Sequence, residues 1–196
     1  SEKLKPLPMA MVVGRVNQVL LEEGVRSLSS IVAISGEILD SHSSACMIGF
    51  GASAIYPYLL YATALDACKK AELSTYEMKT RLKNINHALG QGLLKIMSKM
   101  GIATISSYQN SALFDSLGLS AEVVKECFNG AECLIPGLSY EDLEARLTHN
   151  HALAYELNIT HKLFPLEIGG YYKYIDGQEY HDYSPNAIHA IHRATV

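Results

Sequence analysis

Two compact apolar runs, each set between helical stretches, constrain this chain more than any other feature. "SSIVAIS" (Ser29 to Ser35) is short, apolar and β-branched, as a buried parallel strand is. "ASAIY" (Ala52 to Tyr56) follows after a short helix around His42 to Met47 and a glycine turn. Before the first run, Pro8 opens a helix with Met9, Val12, Val13, Val16, Val19, Leu20 and Glu23 at helical spacing, stopped by Gly24. After the second run, Pro57 starts another helix. This alternation is the rhythm of crossover connections in a parallel sheet. The predicted class is α/β: parallel strands alternating with helices in an open or partly barrel-like sheet, then a C-terminal helical region and a β-hairpin.

The next helix is long. Ser74 and Glu77 form a capping box, and Met78, Leu82, Ile85, Leu89, Leu93, Ile96 and Met100 make one stripe. Gly90 and Gly92 weaken it by about 1 kcal/mol each relative to alanine, which close packing on a neighbour would explain. Gly101 ends it, and "IATISS" (Ile102 to Ser107) is predicted as a third strand. Short helices are expected near Ala112–Leu117 and Ala121–Cys127, with "NGAECLIPGLS" as a loop. Ser139 and Asp142 open a helix toward Leu157. Asp176-Gly177 suits a type I′ turn between arms Tyr171–Ile175 and Gln178–Asp182. Ser184-Pro185 caps a last helix.

Composition narrows the function classes. The 196 residues are 48% hydrophobic and 18% charged with a net charge of -4, which fits a folded core and leaves no basic footprint for nucleic acid. The longest apolar stretch, Met9 to Leu21, is interrupted by Arg15, Asn17 and Gln18 and is too short to span a bilayer. Cys46, Cys68, Cys127 and Cys133 form no CxxC pair; reduced thiols in a cytoplasmic compartment are expected, although Cys127 and Cys133 are near enough in sequence for a disulfide. The chain begins abruptly in a helix and reads as an excerpt from a longer protein.

Candidate chemistry is sparse. His149-x-His151 and His189-x-x-His192 are the closest histidine pairs, but neither completes a metal motif, so no metal site is assigned. "GFGASA" (Gly49 to Ala54) has its glycines before a strand rather than after one, which is wrong for a phosphate loop. Ser35, Gly36 and Glu37, with His42, follow a strand and would sit at the C-terminal sheet edge, where α/β proteins bind ligands. Glu37 and His42 could form an acid–base pair; equally, Glu37 could be the negative end of the next helix's first turn. Ser106, Ser107 and Gln109, in "SSYQNSA", lie at the C-terminal end of the third strand and could bind a polar ligand or tie down their own loop. No residue there has an activating partner, so no catalytic residue is assigned.

The pattern as a whole resembles a known family. "GLLKIMSKMGIATISSYQNSALFDSLGLS" (Gly92 to Ser120) is similar to a distinctive run in the large subunit of glutamate synthases. "PLPMAMVVGRVNQVLLEEGVR", "SGEILDSHSSACMIGFGASAIYPYL" and "GGYYKYIDGQEYHDYSPNAIHAIHRA" resemble flanking segments in the same order. Departures are Asn17 and Gln18 in place of paired histidines, Tyr56 before Pro57 in place of asparagine, and "CLIPG" in place of an R-I-G-G loop.

The resemblance implies a parent that makes two glutamates from glutamine, 2-oxoglutarate and reductant. In it an amidotransferase domain releases ammonia, an FMN-binding (β/α)8 domain uses it, and an iron–sulfur cluster relays electrons. Residues 1–157 would be the later part of the central domain joining the two and walling the ammonia route. Residues 158–196 would lead into the FMN domain. No cofactor is expected in these residues themselves. The expected partners are the amidotransferase and FMN-binding domains, with self-association of exposed apolar surface. The rival readings are an autonomous domain binding FMN or another phosphate ligand near Ser35–Glu37 and Ser106–Asn110, and a stand-alone interaction module.

Overall fold

The computed structural model describes residues 4–156, 174–177 and 182–195. The chain divides into two units, Ser1–Glu156 and Leu157–Val196.

The first unit opens with α1 (Met9–Glu22), a 3-10 turn at Arg26–Leu28, β1 (Val32–Ile34), α2 (Ser41–Gly49) and β2 (Ala54–Tyr56). β1 and β2 pair in parallel, with Val32 opposite Ala54 and Ile34 opposite Tyr56. Asp40 and Ser43 make a reciprocal capping box that fixes the start of α2. The Asp40 carboxylate accepts from the Ser43 backbone N–H at 2.7 Å and from its hydroxyl at 2.6 Å.

α3 (Tyr58–Lys70) and α4 (Thr75–Lys99) follow, and the Ser74–Glu77 box stands at the start of α4. Gly101 takes φ 73°, and the Ile102 N–H returns to the Met97 carbonyl at 2.9 Å, closing α4 with a Schellman turn. The two glycines inside α4 differ. A Cβ on Gly92 would lie 2.4 Å from the Ser41 Cβ, so this glycine lets α2 approach; a Cβ on Gly90 would meet nothing within 4 Å. Gly90→Ala should therefore raise stability by about 0.5–1 kcal/mol in thermal unfolding, through helix propensity alone. A loss would show that the open space beside it is needed.

Three expectations after Gly101 are corrected. Ile102 to Ser107 is not a strand: α5 (Ile105–Tyr108) is a single helical turn. Its β-branched residues suggested extension, but the Thr104 and Ser107 hydroxyls bond each other at 2.8 Å, and the Ser107 N–H returns to the Thr104 carbonyl. Ala112–Leu117 is not a helix. Asn110 and Ala112 hold positive φ (59° and 49°), which breaks any helix there, and the chain continues as β3 (Asp115–Leu119). "NGAECLIPGLS" is not all loop: after α6 (Ala121–Cys127) it supplies β4 (Glu132–Leu138), parallel to β3.

The β3–β4 register shifts twice along the pair, and the second shift spans Pro136, which cannot donate to the ladder. A Cβ on Gly137 would sit 2.6 Å from the Gly118 carbonyl oxygen, so the two backbones approach as only glycine permits. Instead of one sheet there are two separate parallel pairs, β1–β2 and β3–β4, each joined through a helix. α7 (Tyr140–Glu156) closes the unit behind the Ser139–Asp142 box.

α2 is the hub of the core. Met47 packs with Val13, Ala33, Ile38 and Ala52, and Ala45 with Met97 and Tyr108. Phe50, the residue that ends α2, packs with Val123, Val124, Cys127 and Phe128.

In the second unit, α8 (Pro185–Ala194) begins as expected, with the Ser184 hydroxyl accepting from the Ala187 N–H at 3.3 Å. Gly177 has φ 76°, but Asp176 does not share positive φ, so the turn is not type I′. The predicted arms, apart from Tyr174–Ile175 and Asp182, lie outside the described residues.

Candidate functional site

Ser35, Gly36 and Glu37 do stand at the C-terminal end of β1, and their groups are engaged. The Ser35 hydroxyl accepts from the Glu37 N–H at 3.1 Å. A Cβ on Gly36 would fall 3.1 Å from the Tyr58 hydroxyl. The Glu37 carboxylate accepts from the Met9 N–H at 2.7 Å. Pro8, at the N-cap of α1, offers no side-chain cap, so Glu37 supplies from afar both the acceptor and the negative charge that a helix start favours. Glu37 thus serves the first turn of α1, not that of α2. Glu37→Ala should cost about 1 kcal/mol in chemical denaturation; no loss would mean water replaces the carboxylate.

His42 faces elsewhere. On the first turn of α2, its Nε2 lies 3.6 Å from the Cys46 sulfur, and its ring meets Phe114 edge-on at 6.4 Å. A cysteine beside a histidine is the outline of a nucleophile and base. Here burial, then the nearby Asp40 charge, push the Cys46 thiol up, so the reactive thiolate is disfavoured. The i, i+4 spacing of His42 and Cys46 was visible in the sequence; the environment that quiets the pair was not.

Asp40 moves the other way. Hydrogen bonds from the Ser43 side chain, then its backbone, hold the carboxyl below its ordinary value of 3.8. A lowered folded value means this stabilisation is present above pH 3.8 and is lost as pH falls through the folded value. Asp40→Ala should cost about 1 kcal/mol at pH 7 and progressively less as the pH falls through the lowered folded value in paired melts; a pH-independent difference would contradict the cap.

Ser106, Ser107 and Gln109 bond to groups other than those at β1's C-terminal end. Ser106 and Ser107 bond to the Thr104 hydroxyl. The Gln109 amide donates to the Gly51 carbonyl at 3.3 Å and to the Ser53 hydroxyl at 3.0 Å, on the segment entering β2. Gln109 therefore sits at the opposite end of the β1–β2 pair from Ser35–Glu37. With Gln109 stands a network missed in the sequence. Buried Asn17, 4% exposed, donates to Asn110 Oδ1 at 2.6 Å and accepts from Arg26 Nε at 2.6 Å. Arg26 also donates to the Ser29 and Gly51 carbonyls, each at 2.7 Å. The Ser111 hydroxyl nearby is buried without a partner among the described residues.

The glycines of "GFGASA" pack against protein. A Cβ on Gly49 would strike Phe114, and one on Gly51, at φ 120°, would strike Asn17. No phosphate cradle is left. A cavity of 650 Å³ lies between α1, α6 and α7, walled by Pro6, Met11, Val12, Val16, Leu143 and Leu147. At its side the Tyr140 hydroxyl donates to Glu126 at 2.9 Å and meets the Cys127 sulfur at 3.5 Å. Burial, then that thiol, push the Tyr140 phenol up, so it stays a neutral donor. Among the described residues, no three His, Cys, Asp or Glu side chains gather to hold a metal ion.

In class the described residues form an α/β domain in which Glu37, Gln109 and Arg26 bond to backbone groups of the same chain. The particular family follows from comparison: the model of the glutamate synthase central domain matches residues 1–120, and the chain belongs to that family. It is 32% identical over 192 residues to the glutamate synthase (NADPH) large chain of Bacillus subtilis, covering 97% of this chain and 12% of that one. It is 34% identical over 211 residues to ferredoxin-dependent glutamate synthase 1, chloroplastic/mitochondrial, of Arabidopsis thaliana, covering 99% and 13%. It is 32% identical over 197 residues to the glutamate synthase (NADH) of Schizosaccharomyces pombe, covering 99% and 9%. The chain thus spans 12–13% of the first two relatives' length.

Proposed function

We propose that this chain is the connecting scaffold of a glutamate synthase and makes or breaks no bond itself. Residues 1–157 act as the later part of the central domain, and residues 158–196 as the lead-in to an FMN-binding domain. Glutamine, 2-oxoglutarate and reductant are turned into two glutamates by an amidotransferase domain and an FMN domain of the same polypeptide, which hold the FMN and the iron–sulfur cluster. The scaffold sets the spacing of those two domains and helps wall the ammonia route between them. The four free cysteines support a reducing compartment, and we assign the cytoplasm.

One observation carries the reading. Glu37, Gln109, Asn17 and Arg26, the polar groups nearest a catalytic pattern, are spent on a helix start, on loop groups and on one another, and burial beside His42 disfavours the Cys46 thiolate. The test is a segment exchange in the Bacillus subtilis large chain. Residues 1–196 in place of the matching segment should retain glutamine-dependent glutamate formation, and a flexible linker of equal length should abolish it. Full activity with the linker would show that the scaffold is dispensable and the reading wrong.

A further inference from the structure

The 650 Å³ cavity between α1, α6 and α7 takes no part in the scaffold role, and its size lies within the range of small-molecule sites. Its walls are aliphatic, with Val12 and Val16 from α1 and Leu143 and Leu147 from α7. Charge enters it where α1 crosses α6. Gly14 brings its backbone against the Cys127 carbonyl, and the neighbours of these two residues, Arg15 and Glu126, both line the cavity. Three residues further along each segment, the Asn129 amide donates to the Gln18 side chain at 3.0 Å, so the two stay side by side.

These charges have room for a ligand. Among the described residues Arg15 has one ionic partner, Glu22 at 3.8 Å. One Glu126 oxygen accepts from the Tyr140 hydroxyl at 2.9 Å, and the other has no hydrogen bond among the described residues. At the far end, where Lys5 donates to Thr148 at 2.8 Å, the lining charges are again one of each sign, Lys5 and Glu144. An anionic or a cationic amphiphile would leave charges of one sign unanswered; a zwitterion answers both. We infer that this cavity binds an aliphatic zwitterion, an α-amino acid or dipeptide with branched aliphatic side chains. The ligand carboxylate pairs with the Arg15 guanidinium, its ammonium with the open Glu126 oxygen, and its apolar body lies along Val12, Leu143 and Leu147. The site goes beyond the scaffold role and does not depend on it.

Methyl NMR of the 196-residue chain, titrated with L-leucine and with the dipeptide Leu-Leu, tests the inference. The expected result is saturable shifts of the Val12, Leu143 and Leu147 methyls with a Kd of about 1 mM or tighter. Tighter binding of leucine assigns the free amino acid, and tighter binding of Leu-Leu the peptide. Arg15→Gln and Glu126→Gln, both at exposed positions that the fold does not need, should each weaken the tighter ligand about fivefold or more. In the full-length parent polypeptide, the same ligand should slow maleimide labelling of Cys127, which lines the cavity, read by peptide mass spectrometry. No saturable shift with either ligand would overturn the inference. So would equal binding of 3-methylbutylamine or 4-methylpentanoate, which carry one charge each, or unchanged affinity in both variants. Binding by the short chain with no protection of Cys127 in the full-length polypeptide would also overturn it, since the cavity would then be a covered interface.

Discussion

Gly14→Ala should lower the melting temperature by about 5–10 °C, the expression of roughly 2–3 kcal/mol of overpacking in a chain of this size. Gly14 lies where α1 crosses α6. A Cβ there would stand 1.7 Å from the Cys127 carbonyl oxygen and 2.9 Å from its carbon. These are backbone atoms at the end of α6 and cannot rotate away as a side chain can. The helices must part, and Val123, Val124 and Cys127 would lose packing against Phe50 and Phe128. Alanine's better helix propensity returns only about 1 kcal/mol. Gly90→Ala is the internal control, since the same substitution in open space should shift the melt the other way. A melt for Gly14→Ala within a degree of the parent would mean the α1–α6 crossing is wrong.

Arg26→Met should cost about 2–4 kcal/mol, because it leaves several acceptors unpaired at once. The guanidinium holds Asn17 Oδ1 and the Ser29 and Gly51 carbonyls with three separate nitrogens. Asn17 is buried in α1, so its oxygen has no ready replacement, and its amide is what grips Asn110. Arg26→Lys should recover only part of the loss, since one ammonium cannot reach acceptors that a planar fork spans. Urea denaturation of both variants measures this. A lysine variant as stable as the parent would show that charge, not the fork, is what the network uses.

Legibility in the sequence followed the range of the signal. The boxes at Ser74–Glu77 and Ser139–Asp142, the stops at Gly24 and Gly101, and the Ser184-Pro185 start were readable because each is decided within four residues. The resemblance to glutamate synthases was likewise carried by contiguous runs. The errors came where partners decide. Asp115–Leu119 is a strand because β4 lies beside it, and β4 tolerates Pro136 because the register breaks there. Ile102–Ser107 carries strand-forming residues, but among the described residues it joins neither strand pair and closes into a helical turn instead. The candidate site suffered the same way. Glu37 and Gln109 looked available because their partners, Met9 and Gly51, are 28 and 58 residues away. Asn17 and Arg26 gave no local hint of a shared network; only the odd placement of an asparagine on an otherwise apolar helix stripe pointed to it.

In the proposed scaffold role this chain braces chemistry done by other domains. The direct measurement is glutamate formation by the purified 196-residue chain, supplied with ammonia, 2-oxoglutarate and a reductant, alongside its visible spectrum. A colourless sample with no glutamate above the protein-free blank is the predicted result. Flavin absorbance that survives gel filtration, or turnover abolished by Cys46→Ser, would contradict it.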